Sequence, residues 1–399
     1  MRLLKQISKE TILRYISIFL MIVNTGSLIR SYAPRDTLLF YVGCCFILKV
    51  ISRPPRNTSF YYIIYIAILM LITTIYNGSL DNTFFTYILL GISTYWLIGS
   101  MEVSIFKKIF LNVSSFLSII SILIFALSQF TTLPLEYKIG DNLVIGHFMY
   151  HTIEWNYSPL NRNAGIYTEP GGFQYCLNYT LLLFIEDIVC NNINKKTAFK
   201  LSLIIVALIT CSSTTGYLVL MLITVYIIFS IKSKYKILLF PIMLIIGGYL
   251  IFYLYNSDTI KGKLSTKNEN TSLIMRTADA EATIRMIKDN PILGNGGTST
   301  KDYQRKVVNY GALTGVNGAT NGILVPIAVL GITWIIVFFY FSIKSCKRLY
   351  KRVPWWFIFI LFLLVNTNEY FTFYPLTYIF IFKFKDYCQK RKSNTLYVK

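Results

Sequence analysis

Long apolar runs dictate what this chain can fold into. The run 60–77, FYYIIYIAILMLITTIYN, contains no Asp, Glu, Lys, Arg or His. A helix needs about twenty such residues to cross a hydrocarbon core. Comparable runs recur along the chain, with approximate cores at 12–30, 37–52, 60–77, 83–101, 109–130, 172–190, 198–212, 214–231, 236–255, 320–343, 354–367 and 369–384. Only 14% of the residues are charged, against about a quarter in a soluble chain. The sequence therefore predicts an all-α polytopic membrane protein of about twelve transmembrane helices, forming a single integral membrane domain over 1–399. The first apolar run has no small-residue cleavage pattern and reads as a retained helix. The stretch Cys211–Tyr217, CSSTTGY, reads either as a tight external turn or as a break within one long helix.

The formal net charge is +21. Its distribution points away from nucleic acid. Twenty-five of the 39 basic residues fall in the segments 2–9, 49–56, 107–108, 195–200, 232–236, 344–352 and 383–399, on one side of the predicted spans. The short links on the other side carry only Arg30 and Arg35. This alternation is the positive-inside pattern, with both termini cytoplasmic and an even number of spans. The seven cysteines show no CxxC pair and no metal spacing, and two histidines exclude a site built on several imidazoles. Neither a metal nor another cofactor is expected.

Two segments interrupt the rhythm of short links, 131–171 and 256–319, and both fall on the external side. Long loops of this kind in a compact protein are functional or disordered, and the aromatic and glycine content favours function. The first contains NRNAGIYTEPGGF, Asn161 to Phe173. Pro170 suits the first helical position because its missing N–H costs nothing there. The following N–H groups form the positive end of a helix dipole, which favours phosphate. Gly165 and Gly171 permit close backbone approach, and Arg162 supplies a forked cation matched to phosphate oxygens. The competing reading is a plain helix-start turn, with Glu169 favouring the dipole and pairing with Arg162.

The second long segment contains SLIMRTADAEATIRMIKDNPILGNGGTST. Ser272 to Asp289 is helix-forming, Asn290-Pro291 ends it, and Gly294, Gly296 and Gly297 predict a flexible turn. Arg276 and Arg285 lie nine positions apart and face opposite sides of a straight helix. Arg285 has Glu281 one turn before it, a common surface pair. Arg276 has Asp279 and Thr283 on its own side, which favours Arg276 as the ligand contact. The net positive charge of this segment beside a membrane suits an anionic lipid headgroup.

At this point the motifs converge on a family. Arg-x-x-Gly-x-x-x-Glu-Pro at Arg162 to Pro170 resembles the signature loop of bacterial O-antigen polymerases of the Wzy type. MRTADAEATIRMIKDNPILGNG is similar to the arginine-led block shared by these polymerases and O-antigen ligases. CSSTTGYLVLML and TNGILVPIAVLGI resemble two further blocks, in the family's order, over about 130–335. The first 130 residues agree in hydropathy alone.

The resemblance implies a GT-C-like helical fold in the inner membrane, with 131–171 and 256–319 as periplasmic loops. It implies transfer of a growing glycan from undecaprenyl diphosphate to the next undecaprenyl-diphosphate-linked oligosaccharide. A chain-length regulator protein is the implied partner. Carried over by position, Arg162 and Arg276 match arginines at the diphosphate, and Glu169 matches the family glutamate. Ligases place a histidine before Asn321; this chain has Thr320 there, which favours a polymerase and leaves the base open among Glu169, His147 and His151. Asn366, Asn368 and Glu369, at an external helix junction, are expected either to line the sugar site or to cap a helix. The alternatives are an O-antigen ligase acting on lipid A-core, a lipid-linked oligosaccharide flippase, and a structural membrane protein. A flippase would favour paired, repeated halves over two unequal external loops.

Overall fold

The computed structural model describes residues 9–53, 57–77, 82–128, 130, 135–139, 142–147, 150–154, 162–230, 272–296, 306–311 and 321–385. Six helices come first: α1 (Lys9–Val23), α2 (Leu28–Tyr32), α3 (Pro34–Ser52), α4 (Phe60–Asn77), α5 (Asn82–Gly99) and α6 (Val103–Ser128). Four strands follow, β1 (Leu135–Ile139), β2 (Asn142–His147), β3 (Tyr150–Glu154) and β4 (Arg162–Asn163). Then come α7 (Pro170–Val189), α8 (Lys195–Thr210), α9 (Thr214–Ser230), α10 (Ser272–Asp289), α11 (Leu324–Leu330), α12 (Ile332–Leu349) and α13 (Trp355–Asn368). A 3-10 turn, Thr377–Phe380, lies close to the end of the described chain. The expected span at 236–255 lies outside the described residues.

Helices α4 and α6 are each long and apolar enough to cross a membrane unaided, and α9, Thr83–Gly99 and Trp355–Thr367 are shorter apolar helices. The outward faces of α3 and α4 carry large apolar side chains, including Leu39, Phe40, Tyr61 and Ile75. Exposed apolar surface on this scale suits lipid, not water. The centre is α7, buried from Pro170 to Ile185, as expected for a helix with apolar residues on every side. Tyr175 Oη ties it to the last segments, lying 2.9 Å from Asn366 Oδ1, 2.6 Å from Thr377 Oγ1 and 3.0 Å from Tyr179 Oη.

The expected span 12–30 ends at Val23, and a separate α2 begins at Leu28 beyond Gly26, which takes φ +82°. The tertiary structure departs from the expected helices in three further places. The first long loop holds a four-stranded antiparallel sheet in the order β1-β2-β3-β4. The first strand, LEYKI, alternates apolar and polar residues in the strand period of two.

The expected span 320–343 is broken at Gly331, with φ +84°. There Pro291–Gly296 docks into the break: Ile332 N donates to Pro291 O (2.7 Å), Asn295 N to Ala328 O (2.9 Å) and Gly296 N to Val329 O (3.1 Å). A Cβ on Gly331 would lie 1.9 Å from Ile292 O, and one on Gly294 would lie 2.3 Å from Val329 O. Gly294 therefore serves a close backbone-to-backbone contact and Gly296 packs against the Asn77 side chain, in place of the flexible turn expected of them; Gly297 lies outside the described residues.

The expected span 369–384 is not an α-helix. Proline at 375 interrupts the helical bonding. Thr377 Oγ1 instead donates to Phe371 O (2.8 Å), and Thr372 Oγ1 bonds Gly322 O. The segment leaves the end of α13 and reaches Ser59 and Met101, where Lys383 N donates to Ser59 Oγ (3.1 Å) and Lys385 N to Met101 O (3.0 Å). Residues 375–382 are buried throughout. Irregular backbone at membrane depth is tolerable where protein surrounds it.

Candidate active site

The loop 162–173 is held by contacts to several helices. Arg162 and Asn163 form β4, paired with Ile153 and Thr152 of β3. Asn163 Nδ2 donates to Thr210 Oγ1 (2.9 Å) and Ser121 Oγ (3.2 Å), joining the loop to α8 and α6. Its Oδ1 accepts from Gly165 N at 2.9 Å, a local turn favoured by asparagine. Gly165 then takes φ +56° over the Phe173 ring, where a Cβ would approach to 2.8 Å. Leu28 N donates to Ile166 O (2.8 Å) and Tyr167 Oη to Ile22 O (3.3 Å), so the end of α1 and the start of α2 fasten the other side. Glu169 occupies the N-cap of α7 in extended conformation, with Pro170 at the first helical position and no side-chain cap.

Arg162 reaches across to the end of α8. Its Nε donates to Cys211 O (3.2 Å) and its Nη2 to Ser212 O (3.0 Å). These carbonyls lie at the negative end of the α8 dipole, where orphan acceptors welcome a cation. Ser212 has φ +48°, so CSSTTG is a break between α8 and α9. The Nε and Nη2 edge of the guanidinium is anchored by these two carbonyls; Nη1 is not used by them.

Four charged groups interact at this end of the bundle. Burial lowers Arg162 from the usual arginine value, partly offset by Cys211, Glu169 and Tyr217 and reinforced by the like charge of Arg276. Burial pushes the Glu169 carboxyl upward, while Arg276 and then Arg162 pull it back. Glu369 is pushed well above the carboxylate range, by burial first and by the charge of Glu169 second, against the pull of Arg276 and Arg162. Glu169 is surrounded by protein yet keeps solvent-accessible surface. Two arginines and two carboxyls so arranged can bind an anion and move a proton.

The structure therefore brings Arg162, Glu169, Arg276 and Glu369 into one electrostatic cluster, with Gly165 in the supporting turn. Glu369 is the C-cap residue of α13, and Gly322 packs so tightly there that a Cβ would lie 2.3 Å from the Asn366 and Glu369 carbonyls. Arg276 is exposed near the start of α10, while Asp279, Ala282, Thr283 and Met286 form that helix's buried face.

Arg285 is placed elsewhere. Its exposed side chain lies 3.6 Å from Glu281 and donates to Tyr310 O at 3.4 Å. It has no part in the cluster's electrostatics, because the helical phase turns it away from Arg276. Asn321 Oδ1 accepts from Ile323 N and Leu324 N, both at 2.9 Å, and so caps the turn into α11. His151 lies in β3 opposite Gly146, and His147 in β2 opposite Tyr150. Thr320 lies outside the described residues. The anchoring carbonyls of Cys211 and Ser212 were not singled out from the sequence; the only signal was the helix break they form.

Residues 199–339 match the family described as O-antigen ligase. The match spans α8 to the first part of α12 and includes Arg276 and the two carbonyls that hold Arg162. No curated protein and no solved structure matches the chain. Over residues 199–339 the chain is thus similar to the O-antigen ligase family, and its long apolar helices suit a membrane.

Proposed function

We propose that the protein is an O-antigen or related surface-polysaccharide polymerase acting on undecaprenyl-diphosphate-linked repeat units at the periplasmic face of the inner membrane. The observation that carries this reading is the cluster of Arg162, Arg276, Glu169 and Glu369. Burial favours the neutral form of Glu369, which tilts the cluster's balance toward its two arginines. That balance suits a diphosphate. Arg162 and Arg276 bind the diphosphate of the growing chain and stabilise the charge that develops as it leaves. Glu169 accepts the proton of the acceptor sugar hydroxyl. The hydroxyl oxygen forms its bond to the donor anomeric carbon as the bond to the diphosphate oxygen breaks. The electron pair of that bond stays with the lipid diphosphate. No step requires a metal ion.

The same proposal includes about twelve spans in a GT-C-like arrangement, both termini cytoplasmic, loops 131–171 and 256–319 periplasmic, and a chain-length regulator as partner. Ligase activity is the second reading, favoured by the description of the family matched over 199–339. Purified protein in liposomes tests the two. Given lipid-linked repeat units and excess chelator, a polymerase yields a ladder of chain lengths and free lipid diphosphate. Transfer to lipid A-core without a ladder would make it a ligase. Activity lost in chelator and restored by a divalent ion would overturn the leaving-group account.

A further inference from the structure

At the end of the bundle opposite the charged cluster, α1 lies recessed between α3 and α6. Tyr15, Ile16, Phe19 and Leu20 of α1, Phe40 and Cys44 of α3, and Asn112, Val113 and Phe116 of α6 line an open groove of about 560 Å³. This volume lies within the range of ligand sites. Ile16, Phe40 and Phe116 remain exposed along it, on the lipid-facing side.

Its polar groups gather at one end. Asn112 Nδ2 donates to Tyr15 Oη at 2.6 Å, and Asn112 Oδ1 accepts from Lys200 Nζ of α8. Lys108 stands one turn before Asn112 on the same face of α6 and is exposed. Other cations near this end have carboxylate partners: Arg14 pairs with Glu10, and Lys107 with Asp187. Among the described residues, neither Lys200 nor Lys108 has a carboxylate within ion-pair distance. An ammonium offers three donors, and the Asn112 amide uses one of Lys200's.

We propose that this groove seats an acyl chain of an anionic phospholipid from the leaflet at the lysine-rich end, with its phosphate between Lys108 and Lys200. The charge pattern selects the headgroup, since basic pockets between membrane helices bind anionic lipid. The direction of the groove selects the leaflet. From Lys200 and Tyr15 it runs along α1 toward mid-bundle, as a tail runs from its headgroup toward the bilayer centre. The inference is independent of the proposed reaction.

Native mass spectrometry of the full chain in detergent tests it, with added phosphatidylglycerol or phosphatidylcholine of identical tails. Phosphatidylglycerol should be retained preferentially. Lys200→Ala and Lys108→Ala should each weaken its retention about five-fold, Lys200→Arg should keep it, and Lys195→Ala should leave it unchanged. Val113→Trp, which fills the groove, should reduce retention of both lipids. Equal retention of the two lipids, or an unchanged phosphatidylglycerol preference in both lysine-to-alanine variants, would overturn the proposal. Displacement of phosphatidylglycerol by equimolar undecaprenyl phosphate would also overturn it, and would assign the groove to an isoprenoid tail.

Discussion

Removing the Arg162 guanidinium should damage the protein in two separable ways. In the proposed reading the side chain spans a structural contact and a functional one. On one edge it satisfies Cys211 O and Ser212 O at 3.2 and 3.0 Å. A hydrogen bond to a charged group contributes about 1.5–3 kcal/mol, and an unsatisfied buried acceptor has a cost of its own. The two bonds share one fork and do not add fully, so Arg162→Ala should lower stability by about 2–4 kcal/mol. On the functional side, loss of a charge-assisted contact to the leaving diphosphate should cost about 2–4 kcal/mol in the transition state, roughly thirty- to a thousand-fold in rate. Arg162→Lys can reach one carbonyl but cannot supply the fork, so it should recover part of the stability and little of the rate. Arg276→Ala, at an exposed position on α10, should lose rate with a smaller loss of stability. The assay pairs thermal unfolding of detergent-solubilised protein with polymer length on lipid-linked repeat units, both normalised to folded protein. Wild-type ladders from folded Arg162→Ala and Arg276→Ala proteins would refute the diphosphate assignment. A normal rate per folded molecule from Arg162→Ala alone would reduce that residue to a structural clamp.

Three further outcomes follow from other contacts. Gly331→Ala, at φ +84° with the added Cβ 1.9 Å from Ile292 O, should cost about 3 kcal/mol or more in thermal unfolding. Gly43→Ala, in the helical α3 with open space around it, should be neutral or stabilising by up to about 1 kcal/mol; equal effects at the two glycines would reject the docking account. Glu369 holds its proton more tightly in the folded than in the unfolded state, so wild-type stability should fall as pH rises from the ordinary carboxylate range toward its raised value. Glu369→Gln should flatten that part of the unfolding-versus-pH curve, and an unchanged slope would show that Glu369 is ionised. Arg285→Ala should change stability by less than about 1 kcal/mol, as for an exposed ion pair, and should leave polymer length unaltered in the same gel assay.

Much of the candidate site was legible in the sequence because its parts are local. Pro170 marks a helix start through its fixed φ and missing N–H, and α7 begins there. Helical phase separates Arg276 from Arg285 without reference to any partner. The apolar runs announce membrane helices because a hydrocarbon core imposes a length and admits few charges. Composition along a run does not report where its backbone bonds go. That is why 369–384, apolar enough for a span, became an irregular buried segment, and why 320–343 broke at Gly331. In the second case the block Pro291–Gly296, distant in sequence, took up the backbone groups around the break. The anchoring of Arg162 by the end of α8 and the meeting of Glu369 with Glu169 are likewise long-range. Both depend on helix ends that come together only when the bundle packs. Local chemistry thus determined where helices can begin and which side of a helix each charge takes. Tertiary packing decided which charges act on one another, because a carboxyl's proton affinity depends on burial and on charges brought near by other segments.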